Sequence, residues 1–163
     1  MTGPRRPELS DDELFTPSLA GTRRAALEPG ERPWQLGSEF YVAFFGGVLA
    51  VTAIAWLNAG RLGLEPARRW LILGLGAAGL VVMLVVLAVL DFEPGRAYRF
   101  AGQITGVVVF GGYYAIQKEA DRVYSTFAPD DEEYDSLWIP GLIAVIVGFI
   151  VQLAIIFAVL GTA

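Results

Sequence analysis

Residues 71–90 are twenty consecutive apolar positions, Leu71 to Leu90, without one polar side chain. As an α-helix such a run rises about 1.5 Å per residue and reaches roughly 30 Å, the thickness of a bilayer's hydrocarbon layer. It offers no polar face with which to lie on a soluble core. The same run contains a G-x-G-x-x-G at Gly74, Gly76 and Gly79. A dinucleotide-binding turn needs a strand before the glycines, a helix after them and an acidic residue about 20 positions on. Here the glycines sit inside an unbroken apolar run, and Asp91 falls at its far edge. They read as notches that let another helix approach closely.

Three more apolar blocks share this character. Residues 40–57 carry Thr52 as their one clearly polar side chain, 100–116 carry Gln103 and Thr105, and 138–160 carry Gln152. Each is of spanning length. Aromatic residues gather at the block ends: Phe40 and Tyr41, Trp56, Trp70, Tyr98 and Phe100, Tyr113 and Tyr114, and Trp138. That is the pattern of side chains anchored at a membrane interface. The pattern predicts an all-α integral membrane four-helix bundle over residues 39–163, running up-down-up-down, with spans near 40–57, 70–90, 99–117 and 138–161. The third helix is expected to continue beyond Ile116, because Ala120, Val123, Tyr124 and Phe127 keep helical spacing among charged neighbours.

Residues 1–38 are polar, proline-rich and of alternating charge. They predict a largely disordered tail, with one helical turn where Ser10 and Glu13 have capping-box spacing. Leu14 and Phe15 behind that turn are a candidate partner contact. A charged tail of this length is awkward to translocate, which places the N-terminus, and with four spans the C-terminus, in the cytoplasm. Lys118 is the one lysine among twelve basic residues. The arginine bias suggests a GC-rich bacterial coding sequence, and so a bacterial plasma membrane.

The chain has no cysteine and no histidine. Thiol chemistry is excluded, together with the commonest metal ligand and general base. Ser38, Ser125 and Ser136 lie outside the spans, and no histidine is available to activate them. No catalytic residue, cofactor site or metal site is expected. The net charge of −5 gives no basic field for nucleic acid. The run Asp130-Asp131-Glu132-Glu133-Tyr134-Asp135 lacks the ligand alternation of a calcium loop and reads as a solvated loop. No ionisable residue lies in the centre of any block; Glu39 stands at the boundary of the first.

Small and amide side chains are what remain. Gly141, Ala144, Gly148 and Gln152 make one stripe on the fourth span, and Gly102 and Gly106 make a G-x-x-x-G on the third. Depth matching predicts that these stripes face each other, with Tyr113 over the glycine of the fourth span and Gln152 bonded near Thr105. The leading functional expectation is a non-enzymatic scaffold or accessory subunit. It would work through helix–helix assembly in the lipid bilayer, as a homo-oligomer or within a larger membrane complex. The alternative is an oligomeric pore or small-solute permease lined by Gln103, Thr105 and Gln152. A third option is a toxin-type effector that perturbs the membrane.

Overall fold

A computed structural model describes residues 32–89, 96–127 and 134–160. The tail before residue 32 and most of the acidic run lie outside the described residues, and with them the expectation of a disordered tail. Four helices follow in order: α1 Leu36–Arg61, α2 Pro66–Val89, α3 Arg96–Phe127 and α4 Trp138–Leu160. The all-α four-helix architecture is as expected, and α3 continues past the apolar block as its spacing indicated. Among the described residues three helices, α1, α2 and α4, are long and apolar enough to cross a membrane. The chain is accordingly read as an integral membrane protein.

The first helix departs from a straight crossing. Gly47, in its middle, has φ 71° and ψ −162°, a backbone region open essentially to glycine alone. Glu39 and Asn58 are 19 residues apart, yet the Asn58 amide donates to Glu39 Oε1 at 2.8 Å. In a continuous helix they would be about 28 Å apart. Arg61 Nη1 likewise donates to the Arg32 carbonyl at 2.8 Å, and Val42 packs in one apolar cluster with Ala50 and Ile54. The chain therefore reverses at Gly47. α1 is a hairpin of two half-helices, residues 36–46 and 48–61, about 16 and 21 Å long. Its mouth lies at Trp34 and Asn58, and its apex lies inside the bundle. Gly46 and Ala50 touch across the turn, which leaves no room there for a larger residue at position 46.

The hairpin is the central element, packing on α2, α3 and α4. A Schellman turn closes its second half: Leu64 N–H donates to the Ala59 carbonyl and Gly63 N–H to that of Gly60, at 2.9 and 3.1 Å. Gly63 supplies the positive φ of 68°. Leu64 then tucks into the core, and Pro66 starts α2 where its missing N–H costs nothing. α2 descends beside the second half-helix through Trp70 on Trp56, Gly76 on Thr52 and Gly79 on Val48. α3 climbs back, with Val109 on Gly79 and Tyr113 on Gly76. α4 descends again, past Val42 at Gly141 and Ala50 at Gly148. The up-down-up order holds from α2 to α4, whereas α1 enters and returns. Arg32 and Leu160 consequently lie at opposite ends of the bundle. This revises the expectation that both termini share one side: hydropathy treats a hairpin and a crossing alike.

The anticipated pairing of Gly106 with Gly148 is also revised. Each meets the hairpin instead. A Cβ on Gly106 would lie 2.6 Å from the Ala43 carbonyl oxygen, and one on Gly148 would lie 2.8 Å from the Ala50 nitrogen. The notches are real, but α1 fills both because it lies between α3 and α4. Tyr113 is likewise buried within the bundle instead of anchored at an interface. It covers Gly76 of α2 and not a glycine of α4.

Two outcomes follow. Single cysteines at Gln35 and Gly63 should react with an impermeant thiol reagent from the same side of the membrane, while a C-terminal reporter fusion reports the opposite side. Gly148→Leu, which drives a side chain into the Ala50 backbone, should destabilise the bundle by about 3 kcal/mol or more. Val151→Leu, on an exposed face, should stay within about 0.5 kcal/mol. Thermal unfolding in detergent checks both.

Candidate functional site

An open groove of about 750 Å³ lies at the hairpin apex between α3 and α4. Phe45, Gly46 and Gly47 form its head, Gly102 and Gln103 one wall, and Ile146, Phe149 and Gln152 the other. The walls are apolar apart from the two amides. The Gln152 side chain reaches across the groove. Its amide oxygen lies 2.7 Å from where a Cβ on Gly47 would be, and its amide nitrogen 2.6 Å from the equivalent point on Gly102. Both glycines are thus required for the glutamine to fit. Gln152 is 6% exposed. Its Nε2 donates only to the Met83 sulfur, at 3.5 Å, a weak acceptor. Its Oε1 is buried with no partner among the described residues.

Of the residues singled out in the sequence, Gly102, Gln103 and Gln152 come together here. Thr105 does not; its methyl group lies toward Gly79 of α2, and no bond links it to Gln152 among the described residues. Gly141 meets Val42 and Leu137, and Ala144 packs on the cluster around Trp34. Gly106 and Gly148 hold the hairpin, as described above.

A second polar group, absent from the sequence expectations, closes the hairpin mouth. Asn58 accepts from the Trp34 N–H at 2.8 Å and donates to the Trp34 carbonyl at 3.0 Å and to Glu39. Glu39, Asn58 and Gln117 are fully buried. Among the described residues Glu39 Oε2, both amide atoms of Gln117 and the Trp34 indole N–H have no partner. Arg61 roofs the mouth with its guanidinium 3.9 Å from the Trp34 ring centre and a 3.2 Å ion pair to Asp135. Deeper in the bundle Thr52 donates to the Val48 carbonyl at 2.6 Å. Its single proton being used there, the 2.7 Å contact with Tyr113 is a bond donated by the tyrosine.

Beyond the membrane block, Tyr134 donates to Asp121 Oδ1 at 2.9 Å. Burial raises the Asp121 pKa, and the tyrosine bond opposes the rise. Burial, reinforced by Asp121, pushes Tyr134 up to about 12. This pair ties the segment after α3 back onto that helix. Among the described residues no group of three or more His, Cys, Asp or Glu could hold a metal ion.

The mouth cluster could have been suspected from Glu39 and Asn58, polar residues flanking an apolar block with a Gly-Gly pair inside it. Asn58→Leu should cost about 3 kcal/mol or more, since it orphans the Trp34 N–H and carbonyl and removes the side-chain bond that Glu39 makes among the described residues. Asn58→Asp, which retains an acceptor but sets a second carboxyl beside Glu39, should also lower the melting temperature.

No protein-family model, curated protein or solved structure matches this chain.

Proposed function

We propose that the protein is a non-enzymatic integral membrane protein that binds an uncharged amphiphile in the groove at the hairpin apex and works as a small-solute carrier or permease. The observation that carries this reading is Gln152 Oε1, buried, unpartnered and part of the groove wall. A buried acceptor without a donor costs about 1–3 kcal/mol, and lipid tails offer no donor. A hydroxyl or amide N–H on a guest would satisfy it. The apolar walls suit a hydrocarbon body, and the lining residues are all uncharged. The turn at Gly47 adds support, because non-helical backbone at membrane depth is tolerated where it is buried in protein or lines a cavity. Gln103 contributes a second amide, whereas Thr105 faces away.

Assembly is the second reading. Gly74 has nothing within 4 Å of its would-be Cβ, and Ala78, one turn on, is exposed. A small-residue notch on the outside of α2 suits close approach by another copy or by a helix of a larger complex.

Native mass measurement in lipid nanodiscs separates the two readings. A monoacylglycerol, with hydroxyl donors and one acyl chain, should be retained by the wild type. Gln152→Leu should weaken retention about tenfold, the equivalent of one lost hydrogen bond. Ile143→Leu, an exposed position on α4, should leave it unchanged. Equal retention by the wild type and Gln152→Leu would refute the groove reading. An oligomer that dissociates on Gly74→Leu without loss of the bound amphiphile would establish assembly as a separate property.

A further inference from the structure

We propose that Glu39 and Gln117 form an exchangeable proton-binding site enclosed at the hairpin mouth. The site is distinct from the groove and does not rest on the amphiphile reading: Glu39 stands eight residues before Gly47, about 12 Å along the first half-helix.

Placement comes from the packing around the two residues. Phe40, next to Glu39, meets Phe110 of α3 edge to face at 5.9 Å. Ala43, one turn below Glu39, and Ala59, next to Asn58, share a core cluster with Tyr113, and Ile116 and Ala120 pack against it. Gln117 lies on the stripe between Tyr113 and Asp121, one turn from each. Glu39 is within electrostatic reach of both Asp121 and Tyr113. Two fully buried groups, the Gln117 amide and the Glu39 carboxyl, therefore lie on the same α1–α3 interface, unbonded to each other in the structure.

The unsatisfied atoms define what the site takes. Asn58 is spent: both its N–H groups and its oxygen are committed to Trp34 and Glu39. Among the described residues Glu39 Oε2 and both Gln117 polar atoms are free of partners. A hard cation such as calcium takes about six or more oxygens, and this mouth leaves two orphaned. A proton needs one. When a proton from water adds to Oε2, the resulting O–H donates to Gln117 Oε1. When it leaves, Gln117 Nε2–H donates to the carboxylate, the amide having turned over. One amide thus serves both forms, which a leucine or a fixed backbone donor could not do.

Of the surrounding charges Asp121 acts on the site, and the others are engaged elsewhere or exposed. On α3, Tyr113 donates to Thr52 and Asp121 accepts from Tyr134; Lys118, Glu119 and Arg122 are exposed. Asp135, in the segment leading into α4, is paired with Arg61 above the Trp34 ring. Arg69 of α2 lies over Trp56, 4.6 Å from the ring centre. Leu137 and Gly141, the residues near Val42 at the start of α4, do not titrate.

Infrared difference spectroscopy of the full chain in phosphatidylcholine vesicles, taken across a pH change, reads the carboxylic acid carbonyl directly. The wild type should show a reversible band from one enclosed carboxyl. Glu39→Gln should abolish it, and Gln117→Leu should move it to higher frequency, because the acid loses its acceptor. Melting curves confirm that each variant is folded. If Glu39→Gln does not fold, loss of the band's normal position in Gln117→Leu still decides the matter. A band that survives Glu39→Gln, or an unshifted band in folded Gln117→Leu, overturns the proposal. So does a signal that follows sodium at fixed pH instead of protons.

Discussion

The reversal of the chain at Gly47 is the constraint on which the rest of the structure depends. A helix interrupted by a glycine-only backbone state exposes N–H and C=O groups that lipid cannot satisfy. Such a break survives only where other protein surrounds it. The surrounding helices are built for that duty. Small residues at Gly106 and Gly148 bring α3 and α4 against the hairpin backbone, and Gly76 and Gly79 on α2 admit Thr52, Tyr113 and Val109. Within lipid, where the hydrophobic effect does not draw helices together, close backbone approach supplies the attraction.

The same reversal places the polar groups. At the apex it leaves room that Gln152 enters from α4, with Gly102 yielding space on α3. At the mouth it brings Glu39 to Asn58 and allows Asn58 to cap the backbone of Trp34. Both ends of the hairpin thus hold buried polar side chains with atoms to spare, one end against an open groove and the other sealed beneath Arg61 and Trp34.

Much of the architecture was legible in residue order. The uninterrupted run from Leu71 to Leu90 could be little other than a membrane helix, and α2 covers nearly all of it. The spacing of Ala120, Val123 and Tyr124 foretold that α3 outlasts its apolar block. Gln152 stands out in the sequence as the one amide of its block; it is buried, but beside Met83 and not bonded near Thr105. What could not be read was the path of α1. Its hydropathy suits a crossing, and Gly46-Gly47 resembles an ordinary packing notch until the φ of Gly47 is known. With the hairpin unseen, Glu39 stood at a boundary instead of in the interior, and the glycine stripes of α3 and α4 were matched to each other for want of the wedge between them. Local pattern reports which faces are apolar; it does not report which neighbour covers them.

The hairpin's position in the chain has a consequence for how the protein is made. It leaves the ribosome before every surface that houses it, because α2, α3 and α4 are synthesised later. Neither half-helix is long enough to bridge the bilayer alone, so the hairpin has no finished resting place when it emerges. Its closing partner, the Gly148 face of α4, follows Gly47 by about a hundred residues. Seating therefore runs against synthesis: the hairpin can be enclosed only after α4, made later, has packed on it.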